Sequence, residues 1–207
     1  GAAAAPDPDA AVLNLWRLQD ELSAAVLLRQ IAADPRFGHD LLFLLGLGSL
    51  PGDSLVREPG LVDLLLEPDL LAGERNAARL ATEATQMILR LRQPETRQDA
   101  LRRWKRGQFL RIIARDFLLH QPQQVITREI SAVADACVGA ALAAAADEAG
   151  LALDADGAPL GLAVIAMGKW GSWELNYNSD IDLICVYLPT PSGPTADGWE
   201  QVVRSMA

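Results

Sequence analysis

Hydrophobic side chains recur every three or four positions up to about residue 150, which is the spacing that places them on one face of an α-helix. Leu15, Leu18 and Leu22 illustrate the pattern. Prolines divide this region into segments of roughly one to six turns, since proline tends to begin a helix or to follow its end. We therefore predict about five to seven helices, packed as a bundle, between about residues 10 and 149. The dividing prolines are Pro35, Pro51, Pro59, Pro68, Pro94 and Pro122.

A different pattern begins near Gly150, where short apolar runs replace the helical spacing. Residues 162–166 and 181–188 are apolar runs of strand length, and a polar segment containing glycine connects them. Turn-forming residues occupy positions 154–159 before the first run and 189–194 after the second run. We therefore predict two strands joined by a polar connection.

The end of the sequence, from 198 to 207, predicts an amphipathic helix with Trp199, Val202, Val203 and Met206 on one side. Together these patterns indicate an α+β protein that is mostly helical. We predict a helical region over residues 1–150 and a second region with strands over residues 151–207.

The composition is that of a folded globular protein. The chain has 207 residues, of which 50% are hydrophobic and 22% are charged, so it can bury a substantial core. Its 18 basic and 27 acidic residues give a net charge of -9, whereas phosphate neutralisation needs an excess of basic residues. We therefore expect no nucleic-acid partner.

The cysteines and histidines predict neither a disulfide nor a zinc site. Cys137 and Cys185 lie far apart in apolar runs, which is typical of two buried thiols in a reducing cytoplasm. His39 and His120 are isolated from each other and from both cysteines. No apolar stretch reaches the length of about eighteen residues that crosses a bilayer, so we expect a cytoplasmic protein with no membrane partner.

Two aspartates at the start of the second predicted strand are the candidate catalytic residues. Alternate residues of a strand point to the same side, so the carboxylates of Asp180 and Asp182 are predicted to share one face. Carboxylate oxygens placed in this way suit Mg²⁺, which keeps water and substrate phosphates in its other coordination positions. The pair is a candidate metal site for phosphoryl or nucleotidyl transfer, although an isolated Asp-x-Asp is more often merely solvated.

A glycine-containing segment between the two strands is the candidate phosphate-binding element. Gly168 and Gly171 lack side chains, so backbone N–H groups can approach phosphate oxygens closely, and Lys169 adds a positive charge. Ser172 follows them, and Ser179 is either a further phosphate-binding residue or a residue that fixes the turn before the aspartates. The segment is not a Walker A loop, because a tryptophan follows Gly-Lys where that motif requires Ser or Thr.

Two further sets of residues can each be interpreted as functional or as structural. Trp173 and Tyr177 are candidates to stack on a nucleotide base, although loop aromatics more often cover a neighbouring core. A basic cluster is a candidate surface for an acidic partner or for phosphates, but we favour a solvated helix face paired with nearby aspartates. The cluster comprises Arg97, Arg102, Arg103, Lys105, Arg106, Arg111 and Arg115.

The glycine and aspartate segment resembles a signature of the glutamine synthetase adenylyltransferase/adenylyl-removing enzymes. That signature is close to Gly-Lys-Leu-Gly-x-x-Glu-Leu-x-x-x-Ser-Asp-[Ile/Leu]-Asp-Leu, and nearly every fixed position is present over residues 168–183. Residues 101–116 and 130–137 resemble the helical region before it, and the whole resemblance covers roughly residues 40 to 190. Trp170 replaces the usual Leu, which we expect to matter little because both side chains are apolar.

The resemblance implies a helical bundle followed by the beginning of a polymerase β-type nucleotidyltransferase domain. Asp180 and Asp182 would then be two of three carboxylates that bind Mg²⁺. The sequence is more similar to the N-terminal half of these enzymes, which removes AMP from a tyrosine of glutamine synthetase by phosphorolysis and releases ADP. The implied partners are glutamine synthetase, ATP or ADP, phosphate and a nitrogen-signalling regulatory protein.

Two alternatives to AMP removal stay open. One is the activity of the family's C-terminal half, which attaches AMP from ATP to the same tyrosine, and the other is a non-catalytic helical interaction module. The family's third carboxylate lies in a downstream strand that has no counterpart here, since the acids after Asp182 are only Asp197 and Glu200. We therefore expect a truncated fragment that has an incomplete metal site and is inactive alone.

Overall fold

A computed structural model describes residues 5–152, 159, 161–188 and 194–206. The turns predicted over 154–159 and 189–194 lie outside these described ranges except for residues 159 and 194. Every residue of the predicted site, from Gly168 to Asp182, lies inside them.

The residues described up to position 152 are helical, as the hydrophobic spacing predicts. Proline begins several of the helices, because its fixed backbone angle suits the first turn and its missing N–H needs no partner there. Because residues 63–66 and 68–72 form separate short helices, the structure has nine α-helices over residues 5–152, more than the predicted five to seven. They are α1 (Pro8–Glu21), α2 (Ala24–Ala33), α3 (Pro35–Leu45), α4 (Ser49–Arg57), α5 (Asp63–Leu66), α6 (Pro68–Ala72), α7 (Ala77–Leu89), α8 (Pro94–Phe117) and α9 (Gln123–Glu148), with a 3₁₀ turn at Pro59–Val62.

Two antiparallel strands follow the helices. Residue Leu162 lies opposite Tyr187, and Ala166 lies opposite Leu183. The structure confirms a mostly helical α+β fold, while the assignment of the strands to a polymerase β-type domain stays a prediction. The elements are β1 (Leu162–Ala166), α10 (Gly168–Gly171), β2 (Leu183–Tyr187) and α11 (Ala196–Arg204).

The second strand begins two residues later than predicted. Strand β2 starts at Leu183, whereas the apolar run predicts a strand from residue 181. Asp182 still continues the ladder, because the Met167 N–H donates to the Asp182 carbonyl oxygen at 2.9 Å. Asp180 lies before the ladder, so strand alternation does not by itself align the two carboxylates.

The chain forms two compact units. The first comprises Gly1–Gly73 and Arg106–Gln121, and the second comprises Glu74–Lys105 and Pro122–Ala207. The predicted division near residue 150 stays a prediction. The core of the first unit is made of large aliphatic and aromatic side chains, among them Leu18, Phe37, Leu41, Leu44, Leu45, Leu55 and Ile112.

Helix α9 is central to the second unit. It packs along α7, and small buried residues such as Ala136 and Ala140 let the two backbones approach closely. At the other end of the unit, Trp199 and Val202 of α11 are buried in one cluster with Leu162 of β1. This packing confirms the amphipathic helix predicted at the end of the sequence.

Helix α9 is also long and apolar enough to span a membrane by length and composition. Its best 18-residue window has a mean hydropathy of 1.5, and 61% of that window is buried inside the protein, as in a core helix. The prediction that no apolar stretch reaches this length is therefore wrong. The few charged residues of α9 interrupt its apolar runs, but its many alanines keep the mean hydropathy of the window high.

Candidate functional site

The predicted site lies on the connection between β1 and β2. Helix α10 follows β1, and residues 172–182 then lead into β2. Backbone hydrogen bonds order the connection, since Gly171 N–H donates to the Met167 carbonyl at 3.1 Å and Glu174 N–H donates to the Lys169 carbonyl at 2.7 Å. An ordered backbone therefore carries the exposed polar side chains of the segment.

Both glycines of the segment occupy positions that a side chain would disturb. Gly168 has a φ of +55°, in the left-handed region that favours glycine. A Cβ on Gly171 would lie 2.6 Å from the Ala166 carbonyl oxygen, which is too close for any real contact. The turn of α10 can therefore fold back against the end of β1 because position 171 is glycine.

The Asp182 carboxylate lies beside the first of these glycines. Its Oδ2 atom is 3.5 Å from the position that a Cβ on Gly168 would occupy. Asp180 and Asp182 are both exposed and directly precede β2. The fold thus brings one of the two predicted metal ligands to the glycine segment.

Two exposed carboxylates provide the hard oxygen ligands that Mg²⁺ prefers, and Mg²⁺ commonly uses only one or two carboxylates together with water and phosphate. In the part of the chain that the structure describes, no group of three His, Cys, Asp or Glu side chains is placed to hold a metal ion. The chemistry of two carboxylates suits Mg²⁺ with water and phosphate as its other ligands, and metal binding by Asp180 and Asp182 stays a prediction.

Both predicted phosphate-binding serines use their hydroxyl groups within the connection. Ser179 Oγ donates to Asn176 Oδ1 at 2.9 Å and accepts from the Asn176 N–H at 3.0 Å. Ser172 Oγ donates to Glu174 Oε2 at 3.1 Å. Lys169 is exposed on α10. These bonds fix the turn, and phosphate binding by Ser172, Ser179 and Lys169 stays a prediction.

Trp170 anchors the segment through a hydrogen bond that the sequence pattern does not reveal. The residue is 5% exposed, and its indole N–H donates to Asp135 Oδ1 of α9 at 2.7 Å. Burial raises the pKa of the Asp135 carboxyl, and the bond from Trp170 opposes part of that rise. The expectation that replacing Leu by Trp matters little overlooks this bond, although a buried indole generally requires an acceptor.

A second anchor lies five residues further on. Leu175 is 2% exposed, and its backbone N–H donates to Ser131 Oγ of α9 at 3.4 Å. Ser131 in turn donates to the Thr127 carbonyl at 2.9 Å, one turn earlier on the same helix. Helix α9 therefore holds the first half of the connection at two points, Trp170 and Leu175.

Trp173 lies between these two anchors and faces a cleft. It is 43% exposed and has a φ of +61°, which is unusual for a bulky residue. The cleft has a volume of about 610 Å³, and its walls come from the start of α7 and from Arg128 and Ala132 of α9. Trp173 thus remains accessible for stacking, which stays a prediction.

The predicted basic cluster is largely used in structural bonds. In the second unit, Arg97 is 6% exposed and donates to Asp147 Oδ2 and Glu148 Oε1. In the first unit, Arg106 donates to Glu58 Oε1 at 2.6 Å. Two further members donate to backbone carbonyls, namely Arg111 to Gly73 and Arg115 to Leu71.

The sequence is similar to a known family over most of its length. The profile of the family described as glutamate-ammonia ligase adenylyltransferase matches residues 39–204. Over 157 residues the chain is 34% identical to the bifunctional glutamine synthetase adenylyltransferase/adenylyl-removing enzyme of Shewanella frigidimarina (strain NCIMB 400), covering 72% of this chain and 16% of that protein. Over 195 residues it is 34% identical to the protein of the same name from Nocardia farcinica (strain IFM 10152), covering 90% of this chain and 19% of that protein.

The fold and the site define a mostly helical α+β protein with a glycine and aspartate segment between two antiparallel strands. The chain belongs to the glutamate-ammonia ligase adenylyltransferase family. This confirms the resemblance inferred from the sequence. The chain spans 16% and 19% of the lengths of these two relatives.

Proposed function

We propose that this chain is part of an enzyme that controls glutamine synthetase by removing AMP from a tyrosine through Mg²⁺-dependent phosphorolysis. The observation that carries the proposal is the Asp182 carboxylate beside Gly168, within a segment that has the signature order of the family. Removal is favoured over attachment because residues 166–169 and 174–182 resemble the N-terminal half of the family.

Asp180 and Asp182 would hold the Mg²⁺ ion through their carboxylate oxygens. When bound, the ion would neutralise charge on the phosphodiester and on the attacking phosphate. Gly168 leaves the space next to Asp182 Oδ2 free of a side chain, so a phosphate oxygen can come close to both.

The reaction transfers an adenylyl group from tyrosine to phosphate. An oxygen of inorganic phosphate attacks the phosphorus of the AMP group, the bond to the tyrosyl oxygen breaks, and the tyrosine leaves as a phenol after taking a proton. Lys169 supplies positive charge near the incoming phosphate. Ser172 and Ser179 hold the turn through which Gly171 and the aspartates are positioned.

Attachment of AMP from ATP is the second candidate activity, because the names of both relatives include adenylyltransferase and adenylyl-removing activities. A non-catalytic module that binds through the basic cluster is less favoured, because members such as Arg97 and Arg106 are engaged in ion pairs. For either reaction we propose a cytoplasmic enzyme that responds to a nitrogen-signalling regulatory protein.

A nucleotide titration tests the location of the site. We expect Mg²⁺ and ADP to shift amide NMR resonances of residues 168–182 in this chain, and Asp182→Asn to abolish the shifts. Asp99→Asn is the matched control, because Asp99 is an exposed carboxylate on α8 of the same unit. Shifts centred on the basic cluster instead would contradict the transferase proposal and support the interaction module.

A turnover assay tests the reaction in a chain of the relatives' length. We expect phosphate-dependent release of ADP from adenylylated glutamine synthetase, lowered about 100-fold or more by Asp180→Ala. Loss of ATP-dependent attachment with unchanged removal would favour the second candidate. The 207-residue chain alone should show no turnover, and activity there would contradict the expectation of an incomplete site.

A further inference from the structure

We propose that Asp135 is a positioning residue that holds the glycine segment in the geometry required for metal binding, through its hydrogen bond with Trp170. The proposal rests on the proposed function of Asp180 and Asp182, because it concerns how Asp182 and Gly168 are kept together. It assigns a role to a helical residue that lies outside the signature.

The hydrogen bond is short and partly buried. The donor is the indole N–H of Trp170, which is 5% exposed, and the acceptor is Asp135 Oδ1 at 2.7 Å. A hydrogen bond to a carboxylate is among the stronger ones in proteins. Breaking it leaves a buried donor or a partly buried acid without its partner.

The bond reaches Asp182 through a short series of backbone contacts. Trp170 belongs to α10, whose last residue, Gly171, donates its N–H to the Met167 carbonyl at 3.1 Å. The Met167 N–H donates to the Asp182 carbonyl at 2.9 Å. Fixing Trp170 on α9 therefore fixes the turn that lies directly against Asp182.

The turn needs such an anchor because it is too short to be stable alone. Helix α10 has four residues, whereas isolated helices shorter than about 12 residues are marginal in water. The other anchor, from Leu175 N–H to Ser131 Oγ, is longer at 3.4 Å. Asp135 is itself partly buried, which raises the pKa of its carboxyl, and it supplies the acceptor that the buried indole N–H of Trp170 requires.

The chain offers a matched control in the same unit. Trp104 of α8 donates its indole N–H to Glu83 Oε1 of α7 at 2.8 Å, so the chemistry is the same but no residue of the glycine segment takes part. Trp170→Phe and Trp104→Phe each remove one indole donor and keep an aromatic ring. Asp135→Leu removes the acceptor, and Asp135→Asn keeps an acceptor oxygen.

Manganese titration of the purified chain is the decisive measurement, with Mn²⁺ as the probe and Asp182→Asn as the reference for specific binding. We expect Trp170→Phe and Asp135→Leu to weaken Mn²⁺ affinity roughly threefold to tenfold. Asp135→Asn and Trp104→Phe should stay within twofold of the parent. Thermal unfolding of both Phe variants measures how much of any affinity change comes from a loss of global stability. The double variant Trp170→Phe with Asp135→Leu should bind no more weakly than the poorer single variant.

Amide hydrogen exchange separates this proposal from the proposed function. Exchange at Gly171, Ser172 and Glu174 should quicken in Trp170→Phe and stay unchanged in Trp104→Phe. If the parent binds no Mn²⁺ through Asp182, the proposed function fails. The proposal that Asp135 positions a metal site then fails too, even if exchange quickens in Trp170→Phe. If Mn²⁺ binds and Trp170→Phe leaves both affinity and exchange unchanged, only the positioning role is overturned.

Discussion

At position 171 the backbone of α10 passes so close to β1 that a Cβ would lie 2.6 Å from the Ala166 carbonyl oxygen. From the sequence, the predicted role of Gly171 is to let a phosphate group approach the backbone. The structure adds a packing reason that operates without any ligand. Backbone cannot move aside as a flexible side chain can, so the requirement for glycine is steric.

Replacing Gly171 by alanine should therefore lower the free energy of unfolding by about 1 to 3 kcal/mol. The matched control is Gly139→Ala in α9, where nothing lies within 4 Å of the added Cβ. Alanine at a helix interior is expected to stabilise the control by about 0.5 to 1 kcal/mol. Urea unfolding of both variants measures the difference, and equal effects would contradict the steric argument.

Cys137 provides a prediction about pH. Burial raises the pKa of its thiol to about 11, and Lys105 opposes part of that rise. The unfolded thiol loses its proton near its ordinary pKa of 9.0, whereas the folded thiol keeps it to higher pH. The contribution of this thiol to the free energy of unfolding should therefore be fully present below pH 9 and be lost as the pH rises towards 11. Unfolding measured from pH 8 to pH 11 should show this fall, and Cys137→Ala should lack it.

The same shift predicts slow thiol chemistry. In a Cys185→Ala background, the reaction of Cys137 with a disulfide reagent at pH 8 should be roughly 10-fold to 100-fold slower than in the denatured chain. Equal rates in the native and denatured chain would contradict a raised pKa of the Cys137 thiol.

At the scale of residues, the sequence yields site predictions only where the signal is local. The glycine and aspartate spacing placed Gly168 and Asp182 in one candidate site, and the fold brings them together. The bond between Trp170 and Asp135 joins residues 35 positions apart. No periodicity or motif encodes such a tertiary pair, so it required the structure.

At the scale of elements, hydrophobic spacing predicted the helices, β1 and α11. It set the start of β2 too early because Ile181 is apolar yet 42% exposed, so it extends the apolar run without joining the strand. The favoured interpretation of the basic cluster as a solvated helix face fits Arg102, which is exposed, but not Arg97, which is buried on the same helix. Composition alone does not separate a buried arginine from a solvated one.

Arg97 and Arg102 should therefore respond differently to substitution. Arg97 joins the start of α8 to the end of α9 by bonds to Asp147, Glu148 and the Ala144 carbonyl. We expect Arg97→Met to lower the free energy of unfolding by about 1 to 3 kcal/mol. Arg102→Met removes only an exposed pair with Asp99 and should change it by less than about 0.5 kcal/mol. Thermal unfolding of both variants at two salt concentrations checks this, and similar losses would contradict the structural role of Arg97.

At the scale of the whole molecule, the net charge of -9 is the property that sequence alone determines. Some basic residues of the chain also form ion pairs, such as Arg97 with Asp147 and Arg106 with Glu58. A basic side chain held in an ion pair is less available to replace the counterions of a polyanion. The expected absence of a nucleic-acid partner stays a prediction.

Fluorescence anisotropy with a labelled DNA duplex tests that expectation. We expect no binding tighter than a Kd of roughly 10⁻⁴ M at physiological salt, which is the weak limit of non-specific binding. A tighter, salt-dependent Kd would contradict it and would show a concentrated basic surface.

Helix α9 accepts two hydrogen bonds from other elements at fixed positions along its axis. Asp135 accepts a hydrogen bond from Trp170, and Asp147 accepts one from Arg97. The two aspartates are separated by about 18 Å of continuous helix, at 1.5 Å per residue. One inserted or deleted residue between them would rotate one partner by about 100° relative to the other, so both bonds could not be kept. Natural variation in the length of this protein should therefore avoid the span from Asp135 to Asp147, whatever sequence that span carries.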